Sequence, residues 1–147
     1  MTGIRRLTEA DRPAWRALRL ALWPRNSEAE FDADISLLLA KGDLSPTFGA
    51  FDGKDLIGFA EASERPWGDG CETAPVAWLE GIYVADGHRR QGAGRLLVEN
   101  VVAWARDRGL SELGSDAAID NAPSLHSHKR WGFVETKCVV MFRRKLT

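Results

Sequence analysis

Apolar residues recur along the chain at characteristic spacings, and each change of spacing marks an element. Ile4 and Leu7 bound a short opening strand, and Thr8 followed by Asp11 reads as a capped helix start. Trp15, Leu18 and Leu22 then recur at three- and four-residue intervals until Pro24 ends that helix. Ser27 and Glu30 form a capping box for a second helix, which carries Phe31, Ile35, Leu38 and Leu39 and stops near Gly42. From Thr47 to Arg65 the chain reads as two strands joined at Asp52-Gly53, a hairpin signal. A loop over 66–75 leads to a fourth strand, Trp78–Val84, whose aromatic and β-branched residues suit a pleated, half-buried surface. Leu97, Val101 and Trp104 share one face of a long helix that runs to Arg108 and stops at Gly109. Leu113–Asp116 is a short strand, Ala122–Trp131 a helix ended by Gly132, and Phe133–Lys145 one long or two short terminal strands. The order is β-α-α-β-β-β-α-β-α-β, with the last strand single or double. That is a mixed α/β arrangement with one crossover helix between the fourth and fifth strands.

Composition narrows the class. A chain of 147 residues is read as one domain, residues 1–147, long enough to bury a proper core. Its formal net charge of −1 gives no general reason to expect nucleic acid or an anionic membrane as partner. No segment resembles a signal peptide and no apolar run is long enough to cross a bilayer, so the cytoplasm is the default compartment. Cys71 and Cys138 are far apart and belong to no C-x-x-C, so they are read as free thiols. His88, His126 and His128 make no metal-ligand spacing, and no metal is expected.

Candidate chemistry begins where the fourth strand meets the long helix. Gly81 interrupts that strand, which marks a bulge or the close approach of another backbone and leaves polar groups around Ile82, Tyr83 and Val84 open to a ligand. After the turn come Arg89, Arg90, Gln91, Gly92, Ala93 and Gly94. The first amides of a helix have no internal partner, glycines let a phosphate approach them, and the two arginines add fixed positive charge. The stretch is neither the dinucleotide G-x-G-x-x-G nor the Walker loop, because the third glycine and the lysine are missing.

A second group is acidic. Glu72 in the loop, Glu80 on strand four and Asp116 at the end of strand five could converge beside that junction. Carboxylates in such settings need partners, and a cleft lined by them implies a cationic amine. Trp23 and Trp67 offer flat apolar walls for a ring, although core packing accounts for most of the six tryptophans.

The loop Arg89–Gly94 resembles the acyl-CoA pyrophosphate loop of the GNAT N-acetyltransferases: Gln or Arg, two free positions, Gly, one free position, Gly or Ala. Asn121, Ser124, His128, Gly132 and Phe133 resemble that family's second pattern. The resemblance implies the GNAT fold, a mostly antiparallel sheet splayed between strands 4 and 5 with flanking helices, and acetyl-CoA as co-substrate. It implies that Ile82, Tyr83, Val84, Arg89, Arg90, Gln91, Gly92, Ala93, Gly94 and Asn121 hold acetyl-CoA. His128 stands where a tyrosine is commoner in the family, and it either protonates the leaving thiolate or lines the coenzyme channel.

Leu22-Trp23-Pro24, the blocks Gly70–Val76 and Leu79–Ile82, Asp116, Asn121 and Trp131–Thr136 further resemble the aminoglycoside 6′-N-acetyltransferases, a branch of cytoplasmic dimers. By that resemblance Trp23, Trp67, Glu72, Glu80 and Asp116 would contact an aminoglycoside, and the chain would form a homodimer. Lys137 stands where relatives carry a glutamate that helps bind the drug. The expected reaction is direct acetyl transfer in a ternary complex, with Glu80 or Asp116 taking the amine's proton and amides near Ile82 and Tyr83 stabilising the oxyanion. Two rival readings are a GNAT acting on a polyamine or on protein amino groups, and a coenzyme-binding module without turnover.

Overall fold

Caps decide where this chain turns. The computed structural model describes residues 2–147. Strand β1 (Thr2–Arg6) is followed by the reciprocal cap of Thr8 and Asp11, which closes a single 3-10 turn, Glu9–Asp11. Helix α1 proper is Arg12–Leu22, with Pro13 in its first turn where a missing N–H costs nothing. Helix α2 (Glu28–Lys41) has the expected capping box: the Glu30 amide donates to Ser27 Oγ and the Ser27 amide donates to Glu30 Oε1. Strands β2 (Thr47–Asp52) and β3 (Asp55–Arg65) turn through Gly53 at φ +60°. Strand β4 (Val76–Val84) starts two residues before the predicted bound; helix α3 (Ala93–Asp107) follows it, then β5 (Leu113–Gly114) and helix α4 (Ala122–Arg130).

The sheet order is β1-β2-β3-β4-β5, antiparallel except for the last pair. Parallel β4 and β5 meet at Ala77↔Leu113 and Trp78↔Gly114, so beyond Trp78 β4 is unpaired with β5. The mixed α/β, mostly antiparallel sheet that parts between strands 4 and 5 is therefore as the sequence predicts.

Successive strand residues point to opposite faces. Phe59 packs with Leu7, Trp15 and Ile35 under α1 and α2, and Leu22, Trp23 and Tyr83 close that cluster. On the other face α3 buries Leu97, Val98, Val101 and Trp104. Arg12 and Arg16 both reach Asp32 and so tie α1 to α2.

Contacts divide the chain into a unit ending at Asp116 and a smaller one, Ala117–Thr147. The smaller unit holds α4, closed by Gly132 at φ +93°, and an extended tail. The terminal strands expected over Phe133–Lys145 are not formed. A strand exists only through a ladder partner, and within this unit there is none. Among the described residues no helix is long and apolar enough to cross a membrane.

Candidate active site

The bulge in β4 organises the acidic side. Gly81 pairs with Glu61 and Leu79 with Ala62, so Glu80 is an extra residue that nothing on β3 opposes. It comes to the face that carries Ser63 and Arg65. Arg65 grips it with two bonds, Nε 2.8 Å from Oε2 and Nη2 2.6 Å from Oε1, and Ser63 Oγ donates to Oε2. The same guanidinium lies 4.5 Å over the Trp78 ring. Its bonds to Glu80, with a further pull from the negative charge of Asp116, push the Arg65 pKa up against the effect of burial. Glu80 is bound by, and Asp116 acts electrostatically on, an arginine that pattern reading passed over. Asp116 itself lies past the end of β5, which stops at Gly114 rather than reaching it.

Gly81 has a second consequence. A Cβ there would sit 2.7 and 2.8 Å from the Trp23 indole, so the missing side chain is what lets the ring rest on β4. Trp23 also meets Phe59 edge-on at 6.3 Å and lies 4.9 Å beneath the Arg19 guanidinium. It is half core and half wall. Trp67, by contrast, is 65% exposed.

Glu72 is exposed on a loop held from below by a residue the sequence did not single out. The amides of Glu72 and Thr73 and the Thr73 hydroxyl all donate to the Glu112 carboxylate. The Thr73 hydroxyl first, then the Thr73 and Glu72 amides, hold the Glu112 carboxyl below its usual range. Burial first, and then the charge of Glu112, push the neighbouring Cys71 thiol up, which keeps it protonated and a poor nucleophile.

The strand-to-helix junction carries the features of an anion site. Gly92 is the N-cap of α3 with φ +86°, and its conformation is one that only glycine adopts without strain. The first internal bond of the helix runs from the Leu96 amide to the Gly92 carbonyl, so the Ala93 and Gly94 amides lie at an uncapped, positive helix end. Arg90 is exposed and holds φ +63°, a second left-handed residue that helps present the loop backbone. Gln91 is exposed beside it. Arg89 has two partners at this junction. Its Nε donates to the Val84 carbonyl at 2.8 Å and its Nη1 pairs with Asp86 at 2.6 Å, so that carbonyl is occupied and the arginine braces the loop. Ile82 and Tyr83 are half-buried on the stretch of β4 that has no β5 neighbour.

In the smaller unit, Asn121 caps α4 by accepting from the Ser124 amide at 3.3 Å. His128 Nδ1 lies 2.7 Å from the Ser124 carbonyl, which can only accept, so Nδ1 carries the proton. A neutral ring then presents Nε2 as an acceptor, and a role as proton donor requires the imidazolium. Trp131 and Phe133 flank the ring at 5.5 and 5.1 Å. Among the described residues no group of His, Cys, Asp and Glu is arranged to hold a metal ion.

The model of the acetyltransferase (GNAT) family matches residues 4–133. The chain belongs to that family. Among curated relatives, an aminoglycoside N(6′)-acetyltransferase type 1 of Serratia marcescens is 44% identical over 138 residues, covering 90% of this chain and 92% of the relative. A solved aminoglycoside 6′-N-acetyltransferase, AAC(6′)-Ig from Acinetobacter haemolyticus, matches with a TM-score of 0.93 at 38% identity, covering 99% of both chains. AAC(6′)-Iy in complex with the bisubstrate analogue CoA-S-monomethyl-acetylneamine also gives a TM-score of 0.93, at 34% identity and 99% coverage of both. Within the GNAT family the parted strands and the glycine-bearing helix start described above are thus part of an acetyltransferase.

Proposed function

We propose that this chain transfers the acetyl group of acetyl-CoA to the 6′-amine of an aminoglycoside by direct attack within a ternary complex. The observation that carries this reading is the match along 99% of both chains to an enzyme solved with one ligand that joins coenzyme A to a neamine. The residues present fit both halves. Gly92, Ala93 and Gly94 offer amides at an uncapped helix start, with Arg90 and Gln91 exposed beside them, and would hold the diphosphate of acetyl-CoA. Arg89 would support that loop through Val84. Acetyl-CoA supplies the activated thioester.

On the acceptor side Glu72, Glu80 and Asp116 would hold ammonium groups, and Trp67 and the open half of Trp23 would flank the sugar rings. The attacking amine must be neutral. Glu80 already receives donors from Arg65 and Ser63, so we assign proton acceptance to Asp116 and orientation to Glu80. Amides of β4 near Ile82 and Tyr83 would stabilise the oxyanion. Asn121 and His128 join the coenzyme side in this reading by the likeness of their motif alone.

One domain spanning the chain is part of the same proposal, supported by a family match that runs across the boundary at Asp116. So is a homodimer. It is supported by the apolar side chains of Val140, Met141 and Phe142, which are 77%, 87% and 92% exposed and which a second copy would cover. The cytoplasm as compartment is supported by the free thiols of Cys71 and Cys138.

The test is thiol release from acetyl-CoA over a panel of aminoglycosides with and without a free 6′-amine, with the product mapped by NMR. Turnover confined to acceptors carrying that amine supports the proposal. Turnover of spermidine or peptides alone, or none at all, overturns it.

A further inference from the structure

Resting on the aminoglycoside reading, we infer that Arg65 determines specificity: it is a cation of the chain itself that occupies Glu80 where the acceptor's ammonium must bind, and so sets how strongly polycations are held. A carboxylate has about four lone-pair sites. Three donors already use Glu80, two of them from Arg65 in the paired geometry that makes arginine–carboxylate contacts strong. The arginine is held in that pose from another side as well, because its guanidinium lies on Trp78 and the Trp78 ring is in turn fitted against Gly68 and Gly114, where any Cβ would collide with it. Asp116 acts on the same guanidinium.

The consequence is electrostatic. Glu80 and Asp116 together would present two negative charges to an incoming amine, and Arg65 cancels one of them. At 41% exposure for Arg65 and 31% for Glu80 the pair is open to solvent, so its strength is modest and an ammonium can compete for the carboxylate. An acceptor gains the second carboxylate only by sharing it with Arg65 or displacing it. Affinity for cations is thereby held below what the acidic residues alone would give.

The experiment compares wild type, Arg65→Gln and Arg65→Lys for kcat and KM with kanamycin at low and high salt, alongside KM for acetyl-CoA. Loss of the charge in Arg65→Gln lowers the kanamycin KM by about two- to fivefold at low salt. The advantage shrinks in high salt, because exposed charges are screened. Arg65→Lys keeps the charge and stays near wild type. Acetyl-CoA KM is the same in all three. Arg65→Met keeps a stem over Trp78 and serves if the glutamine variant folds poorly, with the same expected KM. A kanamycin KM that rises or does not change in the neutral variants, with acetyl-CoA KM intact, overturns the inference and makes Arg65 a mere support for Glu80. Wild type that acetylates no aminoglycoside defeats the underlying reading instead.

Discussion

The Arg19 guanidinium lies edge-on against the Glu61 carboxylate, Nε 2.7 Å from Oε2 and Nη2 2.9 Å from Oε1, with both side chains nearly sealed from solvent. Trp15 Nε1 donates to the same carboxylate at 2.9 Å, and Asp34 accepts from Arg19 Nη1 at 2.9 Å. The pair therefore fastens α1 to β3 and, through the stacking of Arg19 over Trp23, bears on a wall of the proposed acceptor site. Removing Glu61 leaves Arg19 with Asp34 alone and the Trp15 indole N–H without its acceptor, at a cost approaching the roughly 3–5 kcal/mol of a broken buried pair. Glu61→Leu is expected to lower the denaturation midpoint accordingly. Arg19→Met combined with Glu61→Leu is expected to recover part of the loss, since a buried pair and an apolar pair of similar volume differ little, while the Trp15 N–H stays without an acceptor. Equal midpoints for wild type and the single variant would show that the pair contributes nothing.

Gly81→Ala tests how β4 seats Trp23. The added methyl would lie 2.7 Å from the indole, so either the ring or the bulge must shift. Overpacking of this kind costs about 1–3 kcal/mol. The expected outcome is a modestly less stable protein with altered tryptophan fluorescence and a raised KM for the aminoglycoside, while acetyl-CoA KM changes little. An unchanged acceptor KM would remove Trp23 from the binding surface.

What the sequence could show follows from how local each signal is. The capping box at Ser27 and Glu30, the turn at Gly53 and the helix stops at Gly42 and Gly109 depend on a few consecutive residues, and all are present. The glycine at the start of α3 was legible for the same reason. Arg65 was not. Its hold on Glu80 depends on the one-residue bulge that brings Glu80 to the face of Ser63 and Arg65, and a register shift cannot be counted from one strand alone. Glu112, which serves the Glu72–Thr73 loop from some forty residues away in the chain, is equally non-local. Residues 133–145 have a strand-like pattern, but pattern does not supply a partner edge.

The Glu112 contact gives a prediction about pH. Its carboxyl pKa is held below the ordinary 4.5 by the Thr73 hydroxyl, the Thr73 amide and the Glu72 amide. A depressed folded pKa means that the contact stabilises the loop above the unfolded value and is lost as pH falls through the folded one. In wild type the Thr73 amide resonance should therefore titrate with a midpoint below 4.5, and in Glu112→Gln it should be flat across that range. The variant should also raise the aminoglycoside KM at neutral pH, because Glu72 rides on the same loop. A Thr73 resonance that titrates identically in both proteins would assign the transition to another group.

Gly92 separates backbone strain from steric crowding. Its φ of +86° is a conformation that side chains rarely adopt, yet a Cβ there would meet nothing within 4 Å. Alanine can respond in two ways. It can keep the conformation, at about 1–2 kcal/mol of folding stability, and leave the helix start aimed as before. Alternatively it can relax, which preserves stability and turns the Ala93 and Gly94 amides away from the diphosphate. The open surroundings of this exposed loop offer little to hold a strained residue in place, so relaxation is the expected response. Calorimetry should then find coenzyme A bound about tenfold more weakly, equivalent to about 1.4 kcal/mol, with the thermal midpoint near wild type. Gly87→Ala is the control. Gly87 also has open space where a Cβ would stand but no left-handed backbone, and its replacement should leave coenzyme affinity where it was. Equal affinities for wild type and Gly92→Ala would mean that the α3 amides do not carry the diphosphate.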